Sequence, residues 1–217
     1  MPRWPTPSCA ASTIRATTGP GSPTWKRRSA SSPERWNAVP HDAAIHAWQG
    51  ERSDADPRAL RQALGCFATG VTVVTTVTPD GRKVGVTASS FNSVSMEPPL
   101  ILWSLSSRSP NLSAFRDGSH FAVNVLAASQ VDLCNRFGRP LDDKFADLEV
   151  AAGLGGSPLL PGAVAQFECA CEATYPGGDH LIILGRVLRF RWSEETPLLF
   201  CQGRLGAAAP AAPALAA

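Results

Sequence analysis

GVTASSFNSVSMEPP, residues Gly85–Pro99, is the stretch that decides how the rest of this chain reads. Five of its fifteen residues carry hydroxyls, Gly85 and Ala88 are small, and it stops at a double proline. In front of it lies VTVVTTV (71–77), a β-branched run that predicts a buried strand. Behind it lies LILWSLS (100–106), which predicts another. A hydroxyl-rich segment held between two buried strands can donate and accept hydrogen bonds without carrying charge. That suits a polar, planar or phosphorylated small molecule. The chain shows no GxSxG elbow, no HExxH pair and no convincing frame of paired carboxylates. The expectation is an enzyme whose reactive chemistry belongs to a bound reagent.

Working outward, Asp56 reads as an N-cap and Pro57 as a first helical residue. Leu60, Leu64 and Phe67 then recur at helical spacing, and Gly70 is the expected stop. Pro79-Asp80-Gly81 is turn chemistry between strands at 71–78 and 83–87. Leu100–Leu105 is a third strand, and Ser109-Pro110 is expected to open a short helix containing Leu112 and Phe115. A strand at 120–126 and a helix at 129–137 follow. Residues 138–162 are loop-rich, with Gly153, Gly155, Gly156, Pro158, Pro161 and Gly162. Strands at 164–175 and 180–192 flank a Pro176-Gly-Gly-Asp179 turn, and 198–201 is a last short strand. Seven strands arriving as hairpins and meanders, with three short helices, predict a mainly β protein: an antiparallel barrel with peripheral helices. No GxGxxG follows a strand, so a Rossmann nicotinamide site is not indicated.

Composition bounds the function. The chain has 217 residues, 44% hydrophobic and 18% charged, with a net charge of +2. From Arg58 to Gly206 there are thirteen Lys/Arg and thirteen Asp/Glu, which gives no electrostatic support for nucleic-acid binding. No apolar run is long enough for a membrane span. Six cysteines form no CxxC pair, which fits a reducing, cytoplasmic setting. Cys169 and Cys171 fall on one strand face, as core residues or as a zinc pair. Residues 1–55 hold seven of nineteen prolines and four of six tryptophans. They read as a disordered tail ahead of a body at 56–206; residues 207–217 read as a low-complexity end.

ATGVTVVTT, GVTASSFNSVSMEPPLILWSLS, SPNL, FAVNVL, DKF and GDHLIILGRV, in that order from about Leu60 to Leu205, resemble the short-chain flavin reductase family, the reductase components of two-component flavin monooxygenases. The resemblance implies a split antiparallel β-barrel of the FMN-binding type, usually a homodimer. NADH or NADPH would pass hydride to FMN or FAD, and reduced flavin would leave for a partner monooxygenase. A flavin carrier without turnover, or an oxidoreductase that keeps its flavin, are the alternatives on the same barrel.

The resemblance lays Thr87, Ala88, Ser89 and Ser90 along the flavin ring and ribityl chain. The competing reading is a turn whose hydroxyls satisfy its own backbone. Ser104, Ser106, Arg108 and Ser109, entering a helix at Pro110, form a candidate phosphate grip from helix amides and one guanidinium; an N-cap beside a solvated arginine is the plain alternative. His180, opening a strand after Gly-Gly-Asp, is expected to position the nicotinamide or flavin, with Asp179 orienting it. Lys144 and Phe145 border the flavin in the family, Lys144 toward a phosphate and Phe145 on a ring; a solvated lysine beside a core phenylalanine fits equally well.

Overall fold

The computed structural model describes residues 56–208. The expected N-terminal tail, and all but the first two residues of the C-terminal one, lie outside them. Asp56 caps α1 (Pro57–Gly65), its Oδ1 accepting the Arg58 N–H at 2.9 Å. The strands and helices that follow are β1 (Thr69–Gly70), β2 (Thr72–Val77), β3 (Lys83–Ala88), β4 (Asn92–Met96) and β5 (Pro99–Ser106). Then come α2 (Leu112–Arg116), β6 (His120–Val125), α3 (Val131–Gly138), β7 (Ala151–Ala152) and β8 (Pro158–Leu159). The chain ends in β9 (Ala165–Gly177), β10 (His180–Trp192), β11 (Leu198–Cys201) and β12 (Arg204–Ala207). Every strand pairing among the described residues is antiparallel.

Three expectations are corrected. The helix stops at Gly65 rather than Gly70, because Thr69–Gly70 is drawn into pairing with Leu199–Phe200. The hydroxyl-rich stretch is not one loop up to its prolines: Asn92–Met96 forms β4 against β5, with a bulge between Ser93 and Ser95 that blurs its alternation. The short helix begins at Leu112, not at Pro110, and its cap residue Asn111 makes no side-chain cap bond.

Seven strands form one sheet in the order β3-β2-β6-β9-β10-β5-β4. Its two edge strands, β3 and β4, are joined by only Ser89, Ser90 and Phe91. Three residues span roughly 10 Å at most, so the edges must meet and the sheet must curl into a barrel. No ladder runs between the two edges; the seam is fastened by Ser90, whose Oγ donates to the Ser104 carbonyl (3.1 Å) and accepts the Ser104 N–H (2.9 Å). Curling creates an inside, filled by Val74, Val84, Val86, Ile101, Trp103, Phe121 and Ile183. Trp103 is fully buried and meets Phe115 of α2 edge-on at 4.9 Å. A second core lies on the other face of β2, where Val71, Val73, Cys134, Phe137, Phe145 and Leu198 pack together. Both faces of β2 are therefore covered, which is why its sequence is a continuous run rather than an alternation. Its threonines are buried because each finds a carbonyl: Thr72 reaches Ala88, Thr75 reaches Pro158, and Thr76 reaches His120, at 2.6–2.8 Å.

Cys169 is fully buried in the barrel, and burial pushes its thiol up to about 12. No group of three or more potential metal ligands exists among the described residues, and no helix there is long and apolar enough to cross a membrane.

Candidate active site

Period-two alternation along β5 sends Trp103 and Leu105 into the barrel and leaves Ser104 and Ser106 on the opposite face. On β3 the same alternation buries Val84 and Val86 inside and turns Gly85 and Thr87 toward α3. Gly85 is needed there: a Cβ would lie 2.5 Å from Cε1 of Phe137. Thr87 donates its hydroxyl to the Cys134 carbonyl at 2.8 Å and so ties α3 to β3. Between these elements opens a cleft of about 480 Å³, within the range of small-molecule sites. Its walls are Thr87–Ser90, the end of β5, the 109–111 loop, and the end of α3 at Gly138–Pro140.

Nine of the eleven residues singled out from the sequence meet in this cleft: Thr87, Ala88, Ser89, Ser90, Ser104, Ser106, Ser109, Lys144 and His180. Two do not line it. Phe145 is buried behind, edge-on to Phe137 at 5.0 Å, so it packs in the second core. Arg108 is exposed on the 106–109 turn, where its charge adds only a minor pull on the Asp179 carboxyl. The helix-terminus phosphate grip also fails, because α2 begins three residues after Ser109. Instead the Ser106 and Ser109 hydroxyls accept backbone N–H groups two residues on, at 3.3 Å each.

The hydroxyls differ in what they are free to do. Thr87 and Ser90 serve the scaffold through the bonds described above. Ser89 is exposed and makes no side-chain hydrogen bond among the described residues. Lys144 is half-buried and donates to the carbonyls of Phe137 (2.8 Å) and Gly85 (3.4 Å); burial lowers its pKa. His180 Nδ1 pairs with its neighbour Asp179 Oδ1 at 2.7 Å, where the two-residue Gly178–Asp179 turn, with Gly178 at φ of +69°, leads into β10. That histidine, with help from Arg108, holds the Asp179 carboxyl below its usual range. Arg139, which the sequence reading missed, also lines the cleft; only its place after the last turn of α3 brings it there. No carboxylate lines the cleft among the described residues. The wall thus offers hydroxyls, a histidine, a lysine and an arginine to a polar, anionic guest.

A curled antiparallel barrel with such a cleft has the size and lining to suit a small, polar, anionic guest. The flavin reductase like domain matches residues 64–209, and the chain belongs to that family. It is 45% identical over 148 residues to a probable flavin reductase of Rhizobium meliloti, a match covering 68% of this chain and 48% of that protein. The chain thus spans about half the length of that relative. It is 43% identical to the flavin-dependent monooxygenase reductase subunit HsaB of Rhodococcus jostii, over 69% of this chain and 76% of that one. Among solved structures, the NADH:FAD oxidoreductase SgcE6 of Streptomyces globisporus, in complex with NAD and FAD fragments, superposes with a TM-score of 0.68. It is 39% identical, with 74% of this chain and 98% of that one covered.

Proposed function

We propose that this protein is an NAD(P)H-dependent flavin reductase that passes hydride to FMN or FAD and releases reduced flavin to a partner monooxygenase. The observation that carries the reading is the cleft: about 480 Å³, hydroxyl-lined, cationic and without a carboxylate, on the barrel of this family. Such a lining fits a flavin nucleotide, whose ring edge wants hydrogen bonds and whose phosphate wants cations. Flavin and dihydronicotinamide together supply the redox chemistry. The protein's part is to stack the two rings and to support the charge that hydride arrival builds on the flavin edge. We assign Ser89 and the Thr87–Ser90 backbone to that edge, Lys144 to the anionic side, and His180 to positioning the nicotinamide, with Asp179 fixing the imidazole. Phe145 acts through Phe137, as support for the cleft wall. The names of HsaB and SgcE6 support the monooxygenase partner and the NADH and FAD pair.

A homodimer is part of the same proposal. Leu188, Phe190 and Trp192 stand exposed on β10 beyond the reach of β5, with Phe190 stacked between Phe167 and Trp192. Sedimentation giving a monomer mass would refute that element.

The test is loss of NADH absorbance with purified protein, with and without FMN or FAD. Oxidation that depends on added flavin is the expected result. Absence of oxidation with every flavin and nicotinamide combination would refute the reading.

A further inference from the structure

Resting on the flavin reductase reading, we propose that Arg139 anchors a phosphate of the nucleotide that enters the cleft, the task the sequence assigned to Arg108. Arg139 is the first residue past α3, in extended geometry (φ −105°, ψ 154°). Pro140 follows it and biases its backbone to that region, so the guanidinium is carried off the helix axis by a restrained segment. It is exposed and lines the cleft.

What separates it from its neighbours is that it both lines the cleft and is left unused. Arg136, one turn back, donates to the Ala146 carbonyl at 2.9 Å. Lys144 is engaged by two carbonyls. Arg108 has no ion pair or side-chain hydrogen bond either among the described residues, but it does not line the cleft. Among the described residues, Arg139 has neither an ion pair nor a side-chain hydrogen bond, and no carboxylate lines the cleft to compete for it. A planar fork of donors facing a carboxylate-free cavity is matched to phosphate, which it can hold through two parallel bonds. The 109–111 loop also lines the cleft, and its Asn111 makes no side-chain cap bond to α2. The phosphate belongs either to the flavin or to the nicotinamide dinucleotide; the chemistry is shared, and the experiment separates the two.

The full-length protein and its Arg139→Gln and Arg139→Lys variants are compared in two ways. Equilibrium binding of FMN and of riboflavin, which lacks the phosphate, is read by flavin fluorescence. Turnover is then measured with riboflavin as acceptor and either NADH or the phosphate-free N-benzyl dihydronicotinamide as donor. Losing one charge-assisted contact should weaken the phosphate-bearing reagent about tenfold, leave its phosphate-free counterpart within about twofold, and be partly restored by lysine. Loss confined to FMN assigns the flavin phosphate. Loss with NADH that vanishes with the benzyl donor assigns the dinucleotide phosphate. Equal loss with and without phosphate, or no loss with any of the four reagents, overturns the proposal while leaving the reductase reading intact. A wild-type protein that binds neither flavin and oxidises no NADH sinks the reductase reading, and this inference with it.

Discussion

The two ends of the β9–β10 hairpin are made by the same pair of strands and handle charge in opposite ways. At the base, each β10 arginine is matched across to β9: Arg186 with Glu172, Arg189 with Glu168, and Arg191 with the side-chain amide oxygen of Gln166. Gln166 continues inward to Asn124 and the Leu160 carbonyl, pinning the 153–160 segment onto the barrel. At the tip, beside the cleft, the His180–Asp179 pair is exposed, and the nearby Arg139 and Ser89 have no partner among the described residues. Charges consumed by one another build the protein. Charges left over are available to a ligand.

The sharpest way to break the base is to remove Arg189. Glu168 is buried, and although burial alone would raise its pKa, the bonds from Arg189 and the Leu154 N–H, with the field of Arg191, outweigh it and hold the carboxyl below its usual range. Arg189→Ala should lower the urea midpoint more than any of the substitutions that follow, because it strips two charge-assisted bonds from a largely covered carboxylate; urea unfolding reads this. Next, Gly85→Ala should cost about 1–3 kcal/mol by overpacking against Phe137. It should also weaken flavin binding, since Phe137 lines the cleft. Ser90→Ala, which unfastens the seam, should cost about 1 kcal/mol, whereas Ser89→Ala should leave the melting temperature unchanged and raise the KM for flavin. If both serines behave alike, the division between scaffold and ligand hydroxyls is wrong. Acid titration sharpens the contrast further. A depressed carboxyl contributes stability that is complete above its unfolded pKa of about 4.3 and is lost as pH falls through its lower folded value. Melting scans should therefore show an acid limb below about pH 4.3 that is shallower in Glu168→Gln. The smallest effect is expected at His180→Ala: no change in stability, and a few-fold rise in the KM for NADH by a positioning residue.

Much of this was legible in the sequence because β-branched runs, proline turns and hydroxyl clusters act locally. The long strands, the Gly178–Asp179 turn and the meeting of Thr87–Ser90 with Ser104, Ser106 and His180 follow from such signals and the family resemblance. β4 was missed because a bulge and two serines dilute its apolar alternation. β1, β7, β8 and β12 are too short to carry a period, and exist because a partner strand is placed beside them. The trade of Arg108 for Arg139 was invisible for another reason: which of two exposed arginines faces a cleft depends on where α3 docks, and that is set by Gly85, Phe137 and Thr87 across some fifty residues of sequence.

The seam gives the barrel a line along which it can breathe. Among the described residues no ladder joins the two edges of the seven-stranded sheet, and Ser90, in the link between them, bonds the backbone of β5 at Ser104. Amide protons at Ser89, Ser90 and Phe91 should therefore exchange with deuterated water well before those of Val73 and Val74, buried in the middle of the sheet. A reductase whose flavin arrives and departs in every cycle would then have its wall built on a strip of barrel that no ladder closes.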